Sequence, residues 1–128
     1  MFSVNATQQP INRIYMENCL FCKIAKKEIP ANIVFEDNDM VAFNDINPVA
    51  PIHVLIIPKI HIVNVDELDQ SHEKLVGKMI YIAQKIAREK GISEKGYRLV
   101  FNVKSHGGQA IDHIHLHLLG GQKLGMMV

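Results

Sequence analysis

Asp112-His113-Ile114-His115-Leu116-His117-Leu118-Leu119-Gly120-Gly121 sets three histidines at every second position among aliphatic residues. Side chains alternate across a β-strand, so this spacing predicts a strand over 114–119. His113, His115 and His117 then share one face as a row, with neighbours ~6–7 Å apart, while Ile114, Leu116 and Leu118 face a core. The residues allow three readings: an ordinary amphipathic strand whose polar face is histidine, a metal site in which imidazoles at i and i+2 share one zinc ion, or nucleophilic catalysis. In the last, a neutral imidazole attacks phosphorus while its neighbours hold the tautomer and donate protons.

Outward from this row, the chain alternates strand and helix signals. Tyr97 begins a second strand, 97–103, joined to the histidine strand by a loop over 104–112 that contains Gly107-Gly108. Upstream, Leu75, Val76, Met79, Ile80, Ala83, Ile86 and Ala87 recur at helical spacing. They predict a long helix capped by Asp69 or Ser71, running to about Lys90 and ended by Gly91. The apolar run 54–57, between Pro51 and Pro58, suits a strand buried on both faces. Residues 32–36 and 40–44 flank Asp37-Asn38-Asp39 and read as a hairpin. Phe21, Ile24 and Ala25 oppose Lys23, Lys26 and Lys27 in a short helix over 20–27, closed by Pro30. Strands on both sides of one long helix define an α+β domain with a mostly antiparallel sheet. Residues 1–16 show no sustained period and read as an N-terminal tail, leaving 17–128 as the domain.

Composition narrows the function classes. The chain has 128 residues, enough for one core, and 48% of them are hydrophobic. A net charge of +1 gives no field favouring nucleic acid or an anionic membrane. No apolar run approaches the ~20 residues that a membrane helix needs. Arg13 is the only basic side chain among the first fifteen residues and no apolar stretch follows it, so a cytoplasmic protein is expected. The only two cysteines, Cys19 and Cys22, form a C-x-x-C pair, a usual half-site for zinc or redox chemistry and a poor disulfide framework.

The stretch 112–121 resembles the histidine-triad motif of the HIT superfamily, and its Gly-Gly ending resembles the Hint branch. Other segments resemble Hint segments in order: Phe21-Cys22-Lys23-Ile24 with Ile29-Pro30, Ala42-Phe43-Asn44-Asp45-Ile46, Ala50-Pro51-Ile52-His53, Ile57-Pro58-Lys59 with His61, Lys95-Gly96-Tyr97-Arg98, and Asn102 with Gly107-Gly108-Gln109. The resemblance covers about residues 17 to 121. It implies a HIT-like fold with one long and one short helix. It also implies a purine nucleotide hydrolase or nucleotidyl transferase that cleaves AMP conjugates, phosphoramidates or acyl-adenylates, at the α-phosphorus through a nucleotidyl-histidine.

Residue by residue, the resemblance implies His115 as nucleophile, His53 as its orienter and His117 on the phosphate oxygens. Asp45 matches the carboxylate for the ribose hydroxyls, with Phe21, Ile24, Phe43 and Ile46 around the base. Asn102 offers an amide to the phosphate, and Gly108, Gln109 and Ala110 belong to a segment expected to present backbone N–H groups to it. Bacterial members that resemble this chain hold a structural zinc, here implied at Cys19, Cys22, His61 and His113, and need no catalytic cofactor. The family pairs through the long helix and the strand after it, which implies a homodimer; Met79, Ile80, Ile82 and Ala83 lie on that helix. Ala110 stands where the family commonly has a serine assigned to protonating the leaving nitrogen, and the ending 122–128 lacks a Trp-Pro-Pro-Gly-like sequence. Alanine has neither donor nor acceptor, which keeps a non-catalytic nucleotide-binding regulator as the alternative; a zinc-dependent hydrolase is the third reading.

Overall fold

The computed structural model describes residues 18–127, so the tail assigned to 1–16 lies outside the described residues. Five strands form one sheet in the order β1-β2-β3-β5-β4, with every neighbouring pair antiparallel. They are β1 (Ile33–Glu36), β2 (Met40–Asn44), β3 (Ile52–Pro58), β4 (Arg98–Val100) and β5 (Leu116–Gly120). The hairpin of β1 and β2 turns where the sequence predicts, because Asp37 Oδ1 accepts the N–H groups of Asp39 and Met40.

The helices are α1 (Leu20–Ala25), α2 (Glu73–Glu89) and α3 (Lys104–Gly107). α1 is two residues shorter than the apolar pattern suggests, since Lys27 turns left-handed at φ 66 and the N–H of Glu28 closes back on the Lys23 carbonyl. Asp69 caps a 3-10 turn at Gln70–His72 that leads into α2, and Gly91 at φ 76 follows its end. The loop over 104–112 is not wholly irregular: it contains α3. Among the described residues no helix is long and apolar enough to cross a membrane.

Strand alternation divides the sheet into two environments. Met40, Ala42, Val54, Ile56, Leu116 and Leu118 pack with Met79, Ile82, Ala83 and Ile86 of α2 in the main core. Val41, Phe43, Leu55 and Ile57 point to the opposite face and meet Phe21, Cys22 and Ile24 of α1. β3 is thus buried on both faces, as its uninterrupted apolar run indicates. Ile82 is not an extra surface residue for pairing, because it is 2% exposed and belongs to this core; Ile80 and Tyr81, at 45% and 60%, are the exposed residues of that turn.

The histidine strand begins later than its alternation predicts. β5 starts at Leu116, and His113 to His115 precede it outside the ladder, leaving a bend at 111–113 and tied by the Ile114 N–H to the Ile62 carbonyl. The reason is local: the register would next pair Ile114 with Pro58, which has no N–H and whose carbonyl takes the His113 Nε2–H.

At the far end of β5, Gly121 has φ 92, and a Cβ built there would lie 2.9 Å from Pro51 Cβ. Gly121→Ala should therefore cost about 1–3 kcal/mol of stability. Denaturant midpoints of variant and parent check this.

Candidate active site and metal centre

The face of the sheet away from α2 carries two adjoining histidine clusters. β3 contributes His53 and β5 contributes His117, whose Cα partners are Leu119 and Leu55 respectively. The two histidines are therefore diagonal neighbours on one face, a separation that imidazoles can bridge. His53 Nε2 lies 3.0 Å from His117 Nδ1. His115 stacks edge-on against His117, with ring centroids 5.0 Å apart, and against Phe21 at 5.1 Å. The predicted row therefore forms, although only His117 stands within a ladder.

Backbone groups assign the tautomers. The Val49 N–H donates to His53 Nδ1 at 3.1 Å, which leaves the ring hydrogen on Nε2, donated to His117 Nδ1. His117 then carries its hydrogen on Nε2, a buried atom without a partner among the described residues. The His115 Nδ1–H donates to the His113 carbonyl at 2.7 Å, so its Nε2 lone pair is uncommitted by the ring's other nitrogen. Burial, then the neighbouring His115 and His53, pushes His117 down to about 4; burial also lowers His53 and His115, against the raising influence of Asp45. The arrangement is a set of neutral imidazoles with directed lone pairs and one unspent donor, suited to attack on an electrophile and stabilisation of developing negative charge.

Asp45, His53 and His117 also lie close enough to suggest a second metal site. The hydrogen-bond directions argue against it. His53 Nδ1 already accepts the Val49 N–H, so a metal on Nε2 would require the ring to lose both hydrogens. The 3.0 Å contact is a hydrogen-bond length, shorter than the roughly 3.3 Å between two imidazole nitrogens on tetrahedral zinc.

The other cluster has the opposite character. His113, fully buried, donates its Nε2–H to the Pro58 carbonyl at 2.8 Å, which turns the Nδ1 lone pair toward the cysteines. That nitrogen lies 3.3 Å from Cys19 Sγ and 3.6 Å from Cys22 Sγ, and His61 Nδ1 lies 3.2 Å from Cys22 Sγ. Tetrahedral zinc with ordinary bond lengths separates sulfur and nitrogen ligands by about 3.5–3.6 Å. All four ligand atoms lie within 4.8 Å of one another, so the group could bind a metal with only small adjustments.

Between α1 and the end of β2 opens a cleft of ≈ 820 Å³. Phe21, Ile24, Phe43, Asp45, Ile46 and Ala110 all line it, as the sequence suggests, with Ile46 91% exposed at its rim. Leu20, Ile29, Leu55 and Ile111 join them without having been singled out, since as isolated aliphatic residues they carry no signal distinguishing a cleft wall from a core. Asn102, Gly108 and Gln109 do not line this cleft. The expected presentation of N–H groups by Gly108 and Gln109 is corrected: these donate to the Ser105 and Lys104 carbonyls inside the loop. The Gln109 side chain is likewise committed, accepting the Lys104 N–H and donating to the Val63 and Ile111 carbonyls.

Comparison with known proteins agrees with this architecture. The HIT domain family matches residues 26–124. A purine nucleoside phosphoramidase from Escherichia coli (strain K12) is 51% identical over 112 residues, 88% of this chain and 94% of that protein. The solved structure of a HIT family hydrolase from Legionella pneumophila Philadelphia 1 superposes with a TM-score of 0.83 at 55% identity, covering 84% of this chain and 96% of that one. A zinc-bound histidine triad family protein from Mycobacterium smegmatis superposes with a TM-score of 0.74 at 30% identity, covering 86% and 81%. The chain belongs to the HIT domain family, and it is an enzyme of that class.

The buried neutral histidines imply acid sensitivity. An unfolded histidine has an ordinary value of 6.5, whereas folded His117 stays neutral down to about 4. Between these values the unfolded chain binds more protons, so the stability present above pH 6.5 is lost as pH falls toward about 4. Urea midpoints across this window should fall more steeply for the parent than for His117→Gln.

Proposed function

We propose that this enzyme cleaves AMP conjugates, phosphoramidates or acyl-adenylates, at the α-phosphorus through a covalent nucleotidyl-His115. The observation that carries this reading is the 2.7 Å hydrogen bond from the His115 Nδ1–H to the His113 carbonyl, because it leaves Nε2 as a nucleophile without an added base. The naming of the Escherichia coli relative as a purine nucleoside phosphoramidase supports the substrate class.

In the first step the Nε2 lone pair forms a bond to phosphorus while the bond to the amine or carboxylate leaving group breaks. The unspent His117 Nε2–H donates to a phosphate oxygen as charge develops, and His53 holds the His117 tautomer. Ala110 offers no hydroxyl, so a departing amine takes its proton from water. In the second step water attacks phosphorus, the phosphorus–nitrogen bond to His115 breaks, and AMP leaves with the imidazole restored to neutrality. The apolar walls of Phe21, Ile24, Phe43 and Ile46 suit a purine ring, and Asp45 accepts from the ribose hydroxyls. The family resemblance assigns Asn102 and the 108–110 segment to the phosphate; of these Ala110 lines the cleft, while Gly108 and Gln109 shape the loop rather than lend their N–H groups.

Cys19, Cys22, His61 and His113 hold a structural zinc, consistent with the zinc-bound Mycobacterium smegmatis relative. Two thiolates and two imidazoles would satisfy a four-coordinate zinc, which would then brace α1 against the histidine segment rather than activate water. Two cysteines not joined in a disulfide suit a reducing compartment, in keeping with a cytoplasmic enzyme. The exposed Ile80 and Tyr81 of α2 suit contact with a second copy in a homodimer.

Mixing the protein with an AMP phosphoramidate or an acyl-adenylate, quenching early and weighing the intact chain should reveal a nucleotidyl adduct on the parent and none on His115→Ala. Turnover of that variant should fall on the order of 10³-fold or more with folding intact. AMP binding without adduct or release would instead establish a regulatory nucleotide-binding protein. For the metal, chelation should lower the melting temperature and activity together; loss of activity alone would mark a catalytic ion.

A further inference from the structure

His53 Nε2 carries one hydrogen, since Nδ1 accepts the Val49 N–H, yet two acceptors face it. His117 Nδ1, at 3.0 Å, takes that hydrogen in a hydrogen bond, while Asp45 Oδ2 lies 3.4 Å from the same nitrogen in an electrostatic contact. The other carboxylate oxygen, Oδ1, is occupied by the Asn47 N–H at 2.8 Å, so Oδ2 is the oxygen with capacity to spare. Asp45 also lines the cleft, which puts that oxygen within reach of a bound ligand.

We infer that Asp45 is a positioning residue that couples sugar binding to the histidine pair, its Oδ2 drawing electrostatically on the His53 Nε2–H and weakening the bond to His117 until ligand hydroxyls occupy Oδ2. This inference rests on the proposed nucleotide reading and adds to it a specificity rule for the sugar. With Oδ2 filled by hydroxyl donors, its pull on the His53 hydrogen weakens and the bond to His117 Nδ1 tightens. His117 is then fixed with its hydrogen on Nε2, the buried donor that has no partner among the described residues. Without those hydroxyls the pull of Oδ2 leaves the His53–His117 bond weaker, His117 is less firmly held, and the donor toward the phosphate is less well prepared. The other titratable group against this pair is His115, which raises no competing claim because its Nδ1–H is spent on the His113 carbonyl.

The coupling separates from simple sugar binding because it appears in kcat and not in KM alone. A phosphoramidate of AMP and its 2′,3′-dideoxy counterpart are compared on the parent and on Asp45→Asn. On the parent, loss of the hydroxyls should lower kcat roughly three- to tenfold, the range of one hydrogen bond. On Asp45→Asn the two substrates should share the same kcat. A parent kcat equal for both substrates, with only KM raised, overturns the inference and leaves the proposed reaction standing.

A second readout does not depend on turnover. Imidazole ¹⁵N spectra at saturating AMP should shift the His53 Nε2–H and His117 Nδ1 signals further than saturating 2′,3′-dideoxy-AMP does, since the latter reaches the pair through its phosphate alone. Identical shifts with the two nucleotides overturn the inference. The selective shift in a protein that shows no turnover supports it while refuting the proposed reaction, so the two failures are distinguishable.

Discussion

The hydrogen bond from the His115 Nδ1–H to the carbonyl of His113, two residues earlier in the chain, determines which nitrogen of that ring is free. Two further backbone groups do the same elsewhere: the Pro58 carbonyl takes the His113 Nε2–H, and the Val49 N–H meets His53 Nδ1. In each case the chain path sets the tautomer, and no acidic side chain is needed to hold it. Burial reinforces the arrangement, because it lowers the affinity of all three triad histidines for a second proton. The cost is a shortened β5, since the Pro58 carbonyl spent on the His113 ring is lost to the ladder.

Register carries these local contacts into one place. β3 sends Val54 and Ile56 toward α2 while His53, Leu55 and Ile57 face the other way, and β5 answers with Leu116 and Leu118 in the core and His117 across from Leu55. A slip of one residue would turn His117 into the core and an aliphatic residue into the site. The apolar packing against α2 therefore enforces the 3.0 Å contact between His53 and His117 from the opposite face of the sheet. Stability and site geometry share the same strands, which makes core substitutions in β3 and β5 relevant to chemistry.

The hairpin, the buried central strand, the long helix and the alternation of the histidines were legible because each has a local cause: an Asp turn, an aliphatic run between prolines, helical spacing, and a period of two. Cys19, Cys22, His61 and His113 come together in space as the family resemblance implies, and so do His53, His115 and His117. The backbone partners of these rings were not legible. Nothing about Val49 or Pro58 as residue types marks their N–H or C=O, since those groups acquire a role only when the fold brings an imidazole to them. The same limitation explains Gln109: its amide suits a ligand by composition, but three hydrogen bonds to the surrounding loops commit it elsewhere. Ile82 illustrates the limit of helical periodicity, because adjacent apolar residues at 79, 80, 82 and 83 define an arc too wide to say which edge meets solvent.

His113 belongs to both histidine clusters through different atoms. Its ring directs Nδ1 to the cysteines of α1, and its carbonyl receives the Nδ1–H of His115. Phe21, beside Cys22 on α1, touches both His113 and His115 edge-on, at 6.0 and 5.1 Å. A displacement of α1 would therefore reach His115 along two routes, through the carbonyl and through the aromatic contact. Close-packed interiors transmit such displacements because they leave little free volume to absorb them. Holding α1 against the histidine segment consequently holds the direction of the His115 lone pair, so the Cys/His cluster contributes to the placement of His115 Nε2.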